Sequence, residues 1–181
     1  MRRVFLMMAA CCVLASPALA GGGAVDLYGV YGAVVDGEYE PGIGVRLSLG
    51  STHWMVDFGA TAFMEVEDTP IFDENPNKDD SMKYRAFELG MRYLFYDLHK
   101  VRPYVGAGLS YAQTNATDVR MGSGLGFYVV AGLRVGRVPG INFMAELIYR
   151  HSEVETTYNL IETTDVTVGG IGLQVGASFV F

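Results

Sequence analysis

Large apolar residues recur at every second position along most of the chain. In the segment 42–50, for example, four aliphatic side chains alternate with glycine, serine and Arg46. An alternation with a period of two is typical of β-strands that have one apolar face. Such segments lie near residues 25–35, 42–50, 54–64, 84–96, 103–112, 125–136, 141–150 and 167–181. The pattern therefore predicts an all-β protein of eight strands.

The connections between these segments alternate in length. The short ones are 50–53, 97–102 and 136–140. The longer, more polar ones are 36–42, 66–83, 113–123 and 152–166. Strands joined alternately by short and long connections indicate an antiparallel up-and-down arrangement, with tight turns at one end and long loops at the other.

The composition indicates which way the apolar face points. Charged residues make up only 18% of the chain, and 23 residues are glycine, most of which fall on the non-apolar face. The interior of an eight-stranded barrel is only just wide enough to be filled by side chains, so glycine and small polar residues suit that side. The apolar face then points outward into lipid, where a closed barrel leaves no backbone group unpaired. We predict an eight-stranded antiparallel up-and-down transmembrane β-barrel; a soluble exported barrel or sandwich is the alternative.

Two further features fit this orientation. Aromatic residues near the strand ends suggest girdles at the membrane interfaces: Trp54, Tyr93, Phe95, Tyr111, Phe143, Tyr149, Phe179 and Phe181. The first segment is apolar on both faces, and turning Leu27 and Tyr31 outward would place Asp26 in the interior.

Residues 1–20 have the features of a cleaved signal peptide. Arg2 and Arg3 precede an apolar run, and Ala-Leu-Ala at 18–20 forms a small-residue cleavage site. The mature domain would then comprise residues 21–181 and contain no cysteine, since both cysteines lie at positions 11 and 12. A lipoprotein signal with acylation at one of these cysteines is the alternative.

The charge of the chain limits its partners. The net charge is −7, and cleavage of the signal peptide would remove two further arginines. This acidic balance argues against a nucleic-acid partner, whose phosphates require basic contacts. The acidic stretch 65–81 could attract a divalent cation, but its spacing matches no EF-hand loop, and we expect a solvated surface loop. We expect no metal site and no cofactor.

Three stretches resemble the small eight-stranded outer-membrane barrels, the group that includes the OmpA transmembrane domain and OmpX. They are FELGMRYLF (87–95), RPYVGAGLSYA (102–112) and QVGASFVF (174–181). The resemblance covers residues 22–181 and implies a monomer in the bacterial outer membrane, in contact with membrane lipid and lipopolysaccharide. OmpA continues into a peptidoglycan-binding domain, whereas this sequence stops, so anchoring to the cell wall is not implied.

The last stretch also matches the C-terminal signal of that group. The signal consists of a polar residue, a glycine and two aromatic residues at fixed spacing, positions held here by Gln174, Gly176, Phe179 and Phe181. In the group it is recognised by the outer-membrane insertion machinery. The resemblance therefore implies that this machinery is a partner of the chain.

Charged residues on the inner face are the candidate functional residues. Counted along the predicted strands they are Arg46, Asp57, Glu88, Arg92, Arg134, Glu146 and Arg150. Isolated charges in a narrow lumen are costly, so we expect them to form a salt-bridge network that plugs the barrel. The alternative is a gated narrow pore whose selectivity the arginines set.

The sequence predicts a structural or interaction role, such as envelope integrity, surface antigen or adhesion. Two alternatives stay open, a small-solute channel and a lipid A-modifying enzyme. His151 and Ser152 lie beside acidic residues at the loop end, as a Ser-His-acid enzyme would need. Adjacent residues on a strand point to opposite faces, however, and we expect no catalytic site.

Overall fold

The structure is a computed structural model. It describes residues 22–35, 38–64, 82–95, 100–116, 122–136, 139–158 and 162–181. The predicted signal peptide 1–20 and the acidic stretch 65–81 lie outside the described residues. Within the described ranges, no helix has the length and apolar character needed to cross a membrane.

Eight strands account for most of the described chain. They are β1 (Gly23–Ala33), β2 (Tyr39–Gly50), β3 (Trp54–Phe63), β4 (Met82–Leu94), β5 (Val101–Ala116), β6 (Ser123–Gly136), β7 (Gly140–Tyr158) and β8 (Glu162–Val180). Each strand pairs antiparallel with the next, and β8 pairs with β1 to close the barrel. The predicted fold class is confirmed.

The first and last strands meet where the barrel closes. β1 pairs with β8 from Ala24 opposite Val180 to Gly32 opposite Gly172. The amide of Phe181 donates to the carbonyl of Gly23 at 2.9 Å, and the amide of Gly23 donates to the carbonyl of Phe181 at 2.8 Å. The last residue is therefore held in the hydrogen-bond ladder rather than left as a frayed end.

The barrel is apolar outside and polar inside. Leu125 and Phe143 on the outer face are 74% and 71% exposed, whereas Arg92 in the interior is fully buried. Leu27 is exposed and Asp26 is buried, which confirms the predicted orientation of the first strand. A continuous apolar surface around a closed barrel is stable only in contact with lipid. The predicted outward direction of the apolar face is confirmed, and the barrel spans a membrane.

Tyrosine rings fill the lumen against glycines. Tyr28 lies against Gly44, and Tyr104 lies against Gly132, so that a methyl group on either glycine would overlap the ring. Tyr128 covers Gly108 in the same way. Because an eight-stranded interior is narrow, each ring needs a position without a side chain directly opposite it on the adjacent strand.

The strands extend further at the loop end than the sequence pattern indicated. The predicted connection 152–166 was wrong in extent, because β7 and β8 remain paired as far as Tyr158 opposite Glu162. Val154 and Val168 are both buried there, which continues the alternation. Threonine and valine favour the extended backbone, although a threonine-rich stretch resembles a polar loop by composition. β5 similarly continues to Ala116, four residues beyond the predicted segment.

A β-bulge interrupts β8 at the loop end. Gly32 lies opposite Gly172, but Val35 lies opposite Val168, so β8 has one more residue than β1 across this interval. Gly169 supplies the positive φ of +112° that the bulge requires. Beside the bulge, β1 leaves its regular alternation, and Val34 and Val35 are both buried.

Candidate functional site

Among the described residues, eight charged side chains meet inside the barrel, each no more than 4% exposed. They include all seven that the sequence pointed to: Arg46, Asp57, Glu88, Arg92, Arg134, Glu146 and Arg150. The eighth is Asp26 on β1, which sequence analysis turned inward but did not count in the network. The available signal was the imbalance of four arginines against three acids. With Asp26 included, the buried charges cancel.

Arg46 and Glu146 form a two-point ion pair across the lumen, from β2 to β7. Arg46 Nη1 donates to Glu146 Oε2 at 2.9 Å, and Arg46 Nη2 donates to Glu146 Oε1. The hydroxyl of Tyr104 donates to Glu146 Oε2 at 2.6 Å, and Gln174 Oε1 accepts from Arg46 Nη2 at 2.9 Å. Paired geometry of this kind fixes both side chains, because it satisfies the planar guanidinium and the carboxylate together.

Asp26 is the point where three arginines converge. Arg134 Nη2 donates to its two carboxylate oxygens at 3.2 and 3.4 Å. Arg92 Nη2 lies 3.6 Å and Arg46 Nη1 lies 3.9 Å from Asp26 Oδ2. One carboxylate on β1 therefore balances cations from β2, β4 and β6.

Arg92 links this group to β3. Its Nε donates to Asp57 Oδ2 at 2.8 Å, and its Nη2 donates to Ser48 Oγ at 3.3 Å. The guanidinium carbon lies 4.6 Å from the ring centre of Tyr104. The guanidinium thus contacts a carboxylate, a hydroxyl and an aromatic face, which together replace the water it has lost.

A separate ion pair lies nearer the loop end. Arg150 Nε donates to Glu88 Oε1 at 2.6 Å, and Arg150 Nη2 donates to Thr61 Oγ1 at 3.4 Å. Thr61 also shares a hydrogen bond of 3.0 Å with the hydroxyl of Tyr28. The Arg150 guanidinium carbon lies 5.8 Å from the ring centre of Phe63, so this pair borders the apolar residues above it.

Apolar side chains close the loop end of the lumen. This apolar plug consists of Val30, Val34, Val35, Phe63, Tyr84, Ala86, Ala112, Val154 and Val168. The rings of Phe63 and Tyr84 stack with their centres 5.1 Å apart. Sequence analysis missed the plug, because alternation does not show that apolar residues at the loop ends of several strands meet in the lumen, and because Val154 lies in the stretch 152–166 that was read as a loop. The signal that could have found it was the pair Val34-Val35 at the end of β1.

The lumen is filled along the part of the barrel that the structure describes. Arg46 and Arg92 in its centre are 1% and 0% exposed, and the plug residues are at most 6% exposed. Within the described residues, these side chains line the route through the barrel and leave almost none of their surface exposed. The arrangement stabilises a closed barrel and provides no open passage.

His151 and Ser152 lie on opposite faces of β7. Ser152 is fully buried in the interior, while the His151 ring lies on the outer face, 5.5 Å from the ring centre of Phe127. His151 Nε2 lies 3.9 Å from a carboxylate oxygen of Glu153, also outside. The histidine cannot take a proton from the serine in this arrangement. No group of three or more potential metal ligands occurs among the described residues.

Aromatic side chains cluster on the outer face near both ends of the strands. At the short-turn end, the Tyr93 ring lies 4.9 Å from that of Trp54 and 5.1 Å from that of Phe95, centre to centre. At the loop end, Phe127 and Tyr149 lie 6.1 Å apart. Amphipathic rings at these heights match the two interfaces of a bilayer.

The four residues of the predicted C-terminal signal take two different positions. Gln174 is buried in the lumen on Arg46, and Gly176 lies so close to the β1 backbone that a side chain would not fit. Phe179 and Phe181 are exposed on the outer face. Their recognition by the insertion machinery stays a prediction.

Comparisons with known proteins agree with this architecture. A protein-family model described as the outer membrane protein beta-barrel domain matches residues 4–179. The crystal structure of Neisserial surface protein A matches with a TM-score of 0.64 at 16% identity, covering 88% of this chain and 97% of that one. Comparison with curated protein sequences finds no significant match.

Two further solved structures share the fold. The attachment invasion locus protein Ail of Yersinia pestis, in complex with the heparin analogue sucrose octasulfate, matches with a TM-score of 0.54 at 15% identity, covering 88% of this chain and 99% of that one. The N-terminal barrel domain of Pseudomonas aeruginosa OprF matches with a TM-score of 0.51 at 14% identity, covering 87% and 99%. At such identities the likeness concerns the fold alone.

Proposed function

The chain belongs to the outer membrane protein beta-barrel family and lies in the bacterial outer membrane, and from this premise we propose that it is a closed, non-catalytic barrel with a structural or interaction role. The long connections would face the cell exterior and the short turns the periplasm, as is usual for such barrels. Envelope integrity, surface antigenicity and adhesion are the roles that this arrangement can serve.

The filled lumen is the observation that carries the proposal. Four arginines and four carboxylates neutralise each other in the barrel centre, and the apolar plug covers them at the loop end. A channel needs a continuous hydrated path, and side chains held by paired hydrogen bonds do not move aside without the loss of those bonds. We therefore favour a closed barrel over the narrow small-solute channel.

The absence of catalysis is part of the same proposal. A lipid-modifying hydrolase of the Ser-His type needs its base within hydrogen-bond reach of the nucleophile. His151 and Ser152 point to opposite sides of the barrel wall, which argues against the one catalytic pair that the sequence offered.

The proposed partners follow from the two surfaces of the barrel. The outer apolar face would contact membrane lipid and lipopolysaccharide, and the C-terminal strand would be bound by the insertion machinery during assembly. An interaction at the cell surface would use the long connections and the end of the β7–β8 hairpin, which pairs beyond the residues that β6 and β1 cover. We propose a monomer and no nucleic-acid partner.

Planar-bilayer recording tests the closed state. The purified, folded protein is expected to give no conductance above the bare membrane, with heat-modifiable migration on a gel as the check on folding. Protease treatment of whole cells tests the orientation, and cleavage is expected only in the long connections. Stable single-channel currents from the folded protein would overturn the proposal.

A further inference from the structure

At the loop end, β8 extends beyond the strand with which it closes the barrel. On one side it pairs with β7 up to Tyr158, next to the tip of the β7–β8 hairpin. On the other side its last contact with the β1 segment is a single bridge between Val168 and Val35. The six residues Glu162–Thr167 are therefore paired on one edge, and among the described residues no strand pairs with their other edge.

The turn between β1 and β2 explains why the pairing stops at this bridge. The amide of Val34 donates to the carbonyl of Glu38 at 2.8 Å, and the amide of Glu38 donates to the carbonyl of Val35 at 2.9 Å. These bonds close the β1–β2 hairpin, so the chain turns back into β2 and does not follow β8 further. We call the space above this turn, bordered by the edge of β8 over residues 162–167, the rim notch.

The backbone of β8 directs hydrogen-bonding groups towards the rim notch. Successive residues of a strand direct their amide and carbonyl groups to opposite edges. The amide of Gly169 points to the β1 side, where it donates to the carbonyl of Val34 at 2.7 Å. Because β8 pairs regularly with β7 here, the backbone groups of Thr167, Asp165 and Thr163 point to that side as well. An open strand edge of this kind is where an extended peptide can add as a further strand.

The residues on both sides of the rim notch are acidic. The stretch 153–167 of the β7–β8 hairpin contains no lysine or arginine and four acidic residues, Glu153, Glu155, Glu162 and Asp165. The stretch 36–40 at the β1–β2 turn contains three more acidic residues and likewise no basic one. Like charges would repel an acidic strand, including the hairpin of a second copy of this chain, and would attract a basic one.

We propose that the edge of β8 over Glu162–Thr167 binds an extended, basic segment of a partner polypeptide, which adds to the barrel as a strand in the rim notch. The segment would exchange backbone hydrogen bonds with β8, and its lysine or arginine side chains would meet the acidic residues on both sides. The inference deepens the proposed interaction role and rests on it in one respect, that the long connections face the cell exterior.

Binding of synthetic peptides to the purified, folded protein in detergent tests this site. The first probe is a fluorescent peptide about ten residues long in which lysine and threonine alternate, and fluorescence anisotropy follows its binding. The second probe carries N-methyl groups on two adjacent central residues, which removes one donor from each edge of the peptide and keeps its charge. The third probe has glutamate in place of each lysine.

Two variants of the protein separate the contributions of backbone and charge. Thr163→Pro removes an amide that faces the rim notch, and proline is tolerated on the open side of an edge strand. Glu162→Gln combined with Asp165→Asn removes two charges and keeps the strand. The matched control is Asp73→Asn with Glu74→Gln, which removes two charges from the connection between β3 and β4.

The expected result differs between the probes and between the variants. Wild type should bind the lysine peptide and should not bind the glutamate peptide. N-methylation and Thr163→Pro should each weaken binding about tenfold, because either change removes backbone hydrogen bonds between the two strands. The charge double variant should weaken binding about fivefold at low salt and less at high salt, as expected for exposed charges. The control should bind as wild type does.

Three outcomes would overturn the strand-addition site. The first is no binding of the lysine peptide to wild type, and the second is a charge double variant that binds it as tightly as wild type. The third is equal binding of the N-methylated and unmodified peptides, which would reduce the surface to a general attraction for cations. Heat-modifiable migration shows whether each variant folds; if Thr163→Pro does not, the N-methylated peptide makes the same test from the partner's side.

The peptide titration also stands apart from the test of the proposed function. Binding in detergent requires neither an outward-facing hairpin nor a closed lumen. Single-channel currents, or protease cleavage that places the long connections in the periplasm, would refute the proposed function and leave the binding result valid. Failure of the peptide to bind would remove the rim notch as a site and leave the closed barrel untouched.

Discussion

The half of the lumen near the short turns and the half near the long connections are closed by different forces. The first holds six of the eight buried charges, joined through Asp26 and Glu146. The second holds one ion pair, Arg150 with Glu88, beneath the apolar plug. The same narrow lumen can therefore be filled by a neutral network of charges or by apolar packing. We expect substitutions in these two halves to change the free energy of unfolding in different ways.

Asp26→Asn should give the largest effect. The amide keeps the shape of the side chain but leaves Arg46, Arg92 and Arg134 without the carboxylate on which they converge. Removal of one partner from a buried ion pair usually lowers the free energy of unfolding by about 3–5 kcal/mol. Urea unfolding of the protein refolded into lipid vesicles measures the loss.

Ser178→Ala is the matched control for this change. Ser178 lies opposite Asp26 on β8, is equally buried, and has no hydrogen-bond partner for its hydroxyl among the described residues. Its replacement should change the free energy of unfolding by less than about 1 kcal/mol. Equal losses in the two variants would mean that volume at the barrel seam matters and that the charge of Asp26 does not.

Phe63→Ala tests the other half of the lumen. Phe63 is buried, stacks on Tyr84 and borders Arg150, so its loss leaves a cavity beneath the loop end. Phenylalanine-to-alanine changes in a core usually lower the free energy of unfolding by about 3 kcal/mol or somewhat more. The same urea titration in vesicles gives the value.

Phe58→Ala on the same strand is the control, because Phe58 points outward and lipid chains can occupy the vacated space. It should lose clearly less stability than Phe63→Ala. A loss as large as that of Phe63→Ala would show that aromatic contacts with lipid, rather than packing inside the plug, hold this strand.

The sequence was sufficient to predict the fold and seven of the eight described charged side chains that enter the lumen, because a period of two assigns each residue to one face of a strand. It could not assign the partners of those charges. Arg46 meets Glu146, 100 residues away, because both side chains reach across the lumen at one height, and that height depends on the stagger of the strands.

The loop end was harder to predict for a different reason. Outside the membrane a strand no longer needs an apolar outer face, so alternation fades and the stretch 152–166 resembled a loop. The bulge at Gly169 shifts the register between β8 and β1 by one residue. Beside it, Val34 and Val35 follow the end of β1 and are both buried, which alternation alone does not allow. Because the inward positions of Val34, Val35 and Val154 were not predicted, the apolar plug was not recognised from the sequence.

The double change Glu88→Leu with Arg150→Met should have a smaller effect than either single change. Each single variant leaves an unpaired buried charge, whereas the double variant replaces an ion pair by apolar groups beside the apolar plug. The double variant should lie within about 1 kcal/mol of wild type in the free energy of unfolding. A double-mutant cycle in urea measures the coupling.

The corresponding exchange in the other half sharpens the contrast. Replacing both Arg46 and Glu146 by apolar residues would leave Tyr104, Gln174 and Asp26 without their partners. That double variant should therefore have a clearly lower free energy of unfolding than the double variant of Glu88 and Arg150. Similar stabilities for the two doubles would remove the distinction between a network and an isolated pair.

Deletion of Phe181 should have a modest effect on the finished barrel and a large one on its assembly. Phe181 contributes two backbone hydrogen bonds to Gly23 at the rim, and its side chain is 64% exposed, so its loss should lower the free energy of unfolding by only about 1–2 kcal/mol. If the terminal aromatic residue is part of the assembly signal, the yield in outer-membrane fractions should nevertheless fall several-fold. Ile141→Ala, an outward residue opposite Phe179 on β7, removes lipid-facing surface without altering the signal and should leave the yield unchanged. A normal yield of the truncated protein would mean that the closing strand is recognised through other residues, and that Phe181 serves only the seam between β1 and β8.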